Sequence, residues 1–410
     1  MKFDIRERLL LFGIVLVSSN LFCQVRVGAD VLMNERLSLI QGKRIGLVTN
    51  HTAVLSNGMH LADALAAETG AKLVVLFGPE HGIRGDASDG KTIADAADAR
   101  TGRPVFSLYG SIRKPTVEML SNVDALLFDI QDVGARFYTY ESTMSLAMEA
   151  AAEKRIPFIV LDRPNPIDGE HMSGFVLDDS LRSFVGLHRI PIRHGMTIGE
   201  LATLVNSEGW LANGVKANLI VVKTEGWSRH QWYDQTGLRW INPSPNMKSL
   251  ATATVYPGTC LFEGTNLSEG RGTDHPFEQI GAPFLEGKRW AGELARLKLP
   301  GVQFDAVEFV PAEIPSVASN PKHKGEKCGG VFIHVADRSA FDPVRTAVAM
   351  LVTAKKFFPQ FAWKPYVDRL AGTPRLRAMI DNGDAVDEIV GRWSEELRVF
   401  EALRTKYLLY

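Results

Sequence analysis

The sequence predicts an α/β fold, a Rossmann-like doubly wound N-terminal domain with a second, smaller α/β C-terminal domain. Two observations carry this. Between Arg44 and Lys223 short apolar runs alternate with helical patterns, and the runs are continuous, as parallel strands covered on both faces require. After about Thr252 strands become fewer and helix dominates. A chain of 410 residues that is 45% hydrophobic and 23% charged has material for two packed domains.

The predicted strands are 45–49, 73–77, 105–108, 125–129, 158–161 and 219–223, with helices at 61–69, 141–154 and 198–206. The third helix opens with Thr197 and Glu200 at capping-box spacing. Residues 169–196 show no period and read as a long loop or lid. Residues 227–256, rich in Trp, Tyr, Asn and Pro, also read as irregular. Strands at 302–310 and 331–335 and helices at 343–357, 374–381 and 386–407 complete the smaller domain. The predicted division is a signal peptide at 1–24, a catalytic domain at 25–250 and the C-terminal domain at 251–410.

Lys2, Arg6 and Arg8 precede an apolar run from Leu9 to Val17, followed by Ser18, Ser19 and Asn20, the three zones of a secretory signal. The run falls short of the roughly 20 residues that span a bilayer. Phe22 stands before Cys23 where a lipid-attachment signal needs a small residue. Cleavage near 22–25 is the expectation, with a lipid anchor at Cys23 or an uncleaved anchor as the alternatives, and each makes the chain exported, periplasmic or secreted. Cys260 and Cys328 then remain, as one disulfide or as two buried thiols, and neither has zinc-cluster spacing. A net charge of −1 provides no field to gather nucleic acid or an anionic membrane, so a substrate must be selected inside a site.

Residues 85–92, Gly-Asp-Ala-Ser-Asp-Gly-Lys-Thr, satisfy the Walker A pattern, and Leu126 to Asp129 fit a Walker B strand. The strand at 73–77 does not feed that loop directly, however, and Asp86 and Asp89 would repel phosphates. The first strand leads into Asn50 and His51, not a Gly-rich dinucleotide turn. No nucleotide or other cofactor is expected.

Ligands in open α/β sheets bind beyond the carboxyl ends of the strands. Here those ends carry Asn50 and His51, then Glu80 and His81, then Asp129, Asp132, Arg136 and Tyr138, then Arg163 and Asn165. Carboxylates at such an edge suit glycoside hydrolysis, which needs a proton donor at the leaving oxygen and a second group at the anomeric carbon. Glu80, flanked by Gly78, Pro79 and Ile83, suits the acid role, because apolar surroundings favour a protonated carboxyl. Asp129 and Asp132 are candidates for the second group, with His81 beside Glu80 in the catalytic set. The competing expectation is that several of these groups merely cap or pair with one another. Metal-assisted hydrolysis by His51, His81, Asp129 and Asp132 would need a spacing that matches no established metal motif, and no metal is expected.

Five segments are specific in combination: 47–52, 77–85, 128–140, 161–166 and 256–273. They resemble the NamZ-like bacterial exo-β-N-acetylmuramidases, over nearly the whole chain from Val27 onward. The resemblance implies an active site on the Rossmann-like domain and release of terminal N-acetylmuramic acid from β-1,4 linkage in peptidoglycan fragments. That sugar carries a lactyl carboxylate, for which an arginine fork is the natural reader. Arg136, Arg163 and Arg271 are the candidates. Glu269, Asn50, His51, Tyr138 and Asn165 join them as substrate-binding residues. Trp227, Trp232, Tyr233 and Trp240 offer a stacking face or core packing. The alternative expectation is a non-catalytic muropeptide-binding protein of the cell envelope, which the same crevice would serve.

Overall fold

The computed structural model describes residues 24–85 and 96–410. The signal segment up to Cys23 and the Walker-like loop beyond Gly85 lie outside the described residues. The N-terminal sheet collects β1 (Arg44–Thr49), β2 (Lys72–Gly78), β3 (Ala96–Ala97), β4 (Pro104–Ser107), β5 (Ala125–Asp129), β6 (Phe158–Leu161) and, beyond a separate hairpin of β7 (Ser173–Val176) and β8 (Pro191–Arg193), β9 (Leu219–Val222). Its order is β3-β4-β2-β1-β5-β6-β9. Every pairing is parallel except that of the short edge strand β3. The chain winds outward from β1 to one side, then restarts at β5 on the other. The topological switch point therefore falls between β1 and β5.

Continuous apolar runs form these strands because both faces are covered. In β5, Leu126 and Phe128 enter one core and Ala125 and Leu127 the opposite one, all of them buried. The helices α1 (Gly28–Glu35) and α2 (Leu61–Ala67) supply the second core, and α3 (Tyr140–Lys154) and α4 (Ile198–Ser207) the first. Each such Leu or Phe contributes about 1.5–3 kcal/mol on burial. The capping box of α4 forms as predicted: Thr197 Oγ1 accepts from the Glu200 amide at 3.2 Å, and Glu200 Oε2 accepts from the Thr197 amide at 3.0 Å.

Two segments expected to be irregular are not wholly so. Residues 169–196 contain the β7–β8 hairpin, whose three- and four-residue strands are too short to display a period. Residues 227–256 run into α5 (Leu250–Thr259), obscured in the sequence by Pro257 and Gly258. Gly258 is required there, since a Cβ would sit 1.9 Å from the Pro343 carbonyl oxygen of the helix packed against it.

The smaller domain has an antiparallel sheet in the order β10-β12-β11, from β10 (Gln279–Ala282), β11 (Val302–Phe309) and β12 (Cys328–Val335). Its helices are α6 (Gly287–Arg296), α7 (Pro343–Phe357), α8 (Val367–Ala371), α9 (Arg375–Asn382), α10 (Val386–Gly391) and α11 (Ser394–Arg404). The predicted helix at 386–407 thus breaks after Gly391. Cys260 and Cys328 are separate buried thiols. Among the described residues no helix is long and apolar enough to cross a membrane.

The two domains share one core. Tyr256 at the end of α5 meets Phe137 and Tyr138 edge-on at 5.3 and 5.8 Å, and Phe277 at 4.8 Å. This aromatic seam forms the floor of a cleft between the domains.

Candidate active site

At the switch point the backbone is tied shut. Thr52 Oγ1 donates to Asn50 Oδ1 at 2.6 Å and accepts from the Gln131 amide at 2.9 Å. Beside it Asp129, fully buried, receives Arg163 through both oxygens, Nε at 2.5 Å and Nη2 at 3.0 Å. Arg163 and Gln131 line a side cavity of about 260 Å³ with Thr52, Tyr233 and Arg239. Asp132 is held by the Gly134 amide at 2.8 Å, and burial raises its carboxyl to about 7. His194 Nε2 lies 3.9 Å from it, but burial and the neighbouring arginines depress that ring to about 3, so the contact is not an ion pair near neutrality.

Arg136 is not placed to read a substrate. Its buried guanidinium donates to the carbonyls of Phe175, Ile190 and Leu370 at 2.7–2.9 Å, clamping the loop after β5 to the hairpin and to α8. Asn165 is likewise committed to backbone, donating to the Met196 carbonyl at 3.0 Å and accepting from the Ile167 amide. His51 packs beneath Gly85, with its Nε2 2.6 Å from the Asn242 carbonyl oxygen.

The interdomain cleft, about 500 Å³, collects a different set. Glu80 stands on the turn after β2, where His81 and Gly82 both adopt positive φ, 71° and 75°. Such strain in a non-glycine residue costs about 1–3 kcal/mol and clusters at functional sites. Thr139 Oγ1 donates to Glu80 Oε2 at 3.0 Å, fixing the carboxyl at the cleft wall. A smaller cavity of about 90 Å³ opens beside it, lined by Glu80, His81, Tyr138 and Arg271. On the opposite wall Arg271 meets Glu263 at 2.9 Å and approaches Glu269 at 3.7 Å, and Glu269 in turn pairs with Lys322 at 2.9 Å.

The structure therefore brings Glu80, His81, Tyr138 and Arg271 together, with Glu269 behind. Asn50, Asp129, Asp132, Arg163 and Asn165 belong to the sheet edge and line no wall of this cleft. Sequence reading missed Glu263, Tyr256, Thr139, Tyr109, Arg113, Tyr366 and Arg369, all on the cleft walls. The first three lie inside the specific segments, and that position was the available signal. The others come from stretches without any pattern. Arg113 and Arg369 are exposed, and neither makes an ion pair with a described residue; Arg113 stacks over Phe184 at 4.6 Å.

A Rossmann-like domain joined to a smaller α/β domain, with carboxylates facing an arginine-rimmed cleft at the seam, defines a two-domain α/β protein with a polar, charged interdomain cleft. Residues 45–251 match the family described as exo-beta-N-acetylmuramidase NamZ, N-terminal, and residues 254–410 its C-terminal counterpart. The chain belongs to this family. It is 46% identical over 390 residues to the peptidoglycan beta-N-acetylmuramidase NamZ of Bacillus subtilis (strain 168), spanning 94% of this chain and 92% of that protein. Two crystal structures of Bacteroides fragilis proteins, described as DUF1343 family members, superpose with TM-scores of 0.87 and 0.76 at 36% and 33% identity, each over 94% of this chain and 99% of its own.

Proposed function

We propose that this protein is an exo-β-N-acetylmuramidase, hydrolysing terminal, non-reducing β-1,4-linked N-acetylmuramic acid from peptidoglycan fragments. The observation that carries the reading is Glu80, held by Thr139 on the wall of a cleft large enough for a sugar, in a chain nearly half identical to a named muramidase. Glu80 donates the proton to the leaving oxygen. Tyr109, Tyr256 and Tyr366 offer ring faces to the sugar, and the mixed lining of arginines and hydroxyls suits its polar edges.

Arg113 and Arg369, one from each domain, read the lactyl carboxylate that distinguishes muramic acid from glucosamine. Arg271 is turned toward Glu263, and Arg136 and Arg163 serve the scaffold. Export directed by residues 1–24 suits a substrate outside the cytoplasm.

The test is incubation of purified protein with para-nitrophenyl β-N-acetylmuramide and with the disaccharide N-acetylmuramyl-β-1,4-N-acetylglucosamine. Release of muramic acid from both, with no release from the glucosamine analogue, is expected. Ligand binding without cleavage would instead support a carrier of muropeptides.

A further inference from the structure

Glycoside hydrolysis commonly uses two carboxyl groups, and the sheet edge does not supply the second. Asp129 is closed by its bidentate pair with Arg163, and Asp132 is buried, held by the Gly134 amide, and does not line the cleft. Among the described residues, the other carboxylate that lines the same cleft as Glu80 is Glu263, on the far wall and in the other domain.

Its setting is built. Arg271 engages Oε1 alone, from Nε at 3.3 Å and Nη2 at 2.9 Å. No hydrogen bond with a described residue engages Oε2, and a quarter of the side chain stays open to the cleft. The arginine is itself fixed from behind by Glu269, and that carboxylate by Lys322, whose Nζ also donates to the carbonyls of Phe262 and Leu267 at 2.7 and 2.9 Å. The backbone on both sides of Glu263 is thereby pinned. Tyr366 lines the same cleft as both carboxylates; burial pushes its phenol upward, and the charges of Cys260, Glu263 and Glu80 add to that push while Arg369 opposes it.

From this arrangement we propose that Glu263 is the second catalytic carboxylate, the base that takes a proton from the attacking water. The step, which rests on the muramidase reading above, balances as follows. Water oxygen bonds to the anomeric carbon as the bond to the leaving oxygen breaks. Glu263 Oε2 receives the water proton, and Glu80 gives its own proton to the departing sugar hydroxyl. Burial moves the Glu263 carboxyl upward against the pull of Arg271, which makes it a stronger base than a solvated carboxylate while the arginine favours its anionic form.

Glu263→Gln keeps the shape and the acceptor for Arg271. It should lower kcat on the disaccharide by about 10²–10⁴-fold with KM nearly unchanged. In Glu263→Ala, sodium azide should restore turnover and yield the α-glycosyl azide, formed by attack opposite the β-linked leaving group. With the wild-type enzyme, NMR should show the α-anomer of N-acetylmuramic acid as the first product. The proposal is overturned if folded Glu263→Gln keeps wild-type kcat, if azide fails to restore folded Glu263→Ala, or if the β-anomer appears first. Failure of the wild type to release any sugar would instead strike the muramidase reading itself, so the two failures are distinguishable.

Discussion

Arg163 grips Asp129 through both carboxylate oxygens, at 2.5 and 3.0 Å, with the two side chains only 5% and 0% exposed. Burial opposes the charge on Arg163, and the Asp129 carboxylate more than compensates, holding the guanidinium above its ordinary range. The pair joins the loop after β6 to the end of β5, next to the switch point. Removing one member leaves the other charged and buried, at a cost of about 3–5 kcal/mol. Asp129→Ala is therefore expected to unfold at markedly lower denaturant concentration, with activity lost in proportion to the folded fraction. A variant as stable as wild type but inactive would return Asp129 to the chemistry.

Arg136 and Gly372 form a second strut. Gly372 sits at φ 74°, and a Cβ there would lie 2.4 Å from Arg136 Nη2. Gly372→Ala thus meets both a left-handed backbone and a steric clash with a buried, carbonyl-bound guanidinium. A loss of about 2–4 kcal/mol is expected, measurable by urea unfolding. Because α8 also carries Arg369 and follows Tyr366, KM should rise in the same variant. An unchanged unfolding midpoint would contradict this account of the strut.

Asp132 should leave a mark on the pH dependence of stability. Its ordinary value is 3.8, and burial lifts it to about 7 in the folded chain. Between those values the folded state keeps a proton that the unfolded state has released. Stability from this group is full below the ordinary value and declines as pH rises to about 7. His194 acts oppositely, because its folded value of about 3 lies below the ordinary 6.5, so its contribution grows with pH over that range. The two partly cancel in the wild type. Asp132→Asn removes only the first, so the variant should gain on wild type steadily from pH 4 to pH 7, by up to about 1 kcal/mol per unit. A difference that stays constant with pH would show that the Asp132 carboxyl is not raised.

The sheet was legible because burial on both faces leaves a continuous apolar run, and 125–129 and 158–161 coincide with β5 and β6 residue for residue. The β7–β8 hairpin and β10 were not: β7 and β10 are four residues with a glycine inside, and β8 has only three residues, too few to show a period. For the site, the sheet-edge rule picked out Glu80 and His81, which line the cleft or the small cavity beside it. It also drew in Asp129, Arg163 and Asn165, which use the same edge for architecture. Sequence chemistry cannot separate an arginine that reads a ligand from one that binds carbonyls, as Arg136 does. The far wall of the cleft comes from the other domain, so Glu263 and Arg369 reach it only through the tertiary packing of α5 and α8.

Selectivity should reside in the exposed arginines of the rim. If Arg113 and Arg369 read the lactyl carboxylate, each Ala variant should erode the preference for muramic acid over glucosamine glycosides. A charged hydrogen bond contributes about 1.5–3 kcal/mol, or roughly a ten- to hundredfold change in the ratio of kcat/KM values. Neither side chain is buried, so stability should change little. Folded variants that both retain the wild-type ratio would assign the reading to Arg271.

The last expectation concerns Glu80, placed on the strained turn after β2 and held by Thr139. Glu80→Gln keeps the shape, and the amide oxygen still accepts from Thr139, but the proton donor is gone. Turnover of the natural disaccharide, whose leaving group is a poorly acidic sugar hydroxyl, should fall by about 10²–10⁴-fold. A para-nitrophenyl leaving group departs with little protonation, so cleavage of that glycoside should suffer far less. A base or nucleophile shows no such contrast, because its loss slows both substrates alike. Glu263→Gln measured in parallel therefore supplies the control: its two losses should match while those of Glu80→Gln diverge. Equal, severe losses in Glu80→Gln would take the acid role from Glu80, and near-normal rates on both substrates would remove it from catalysis.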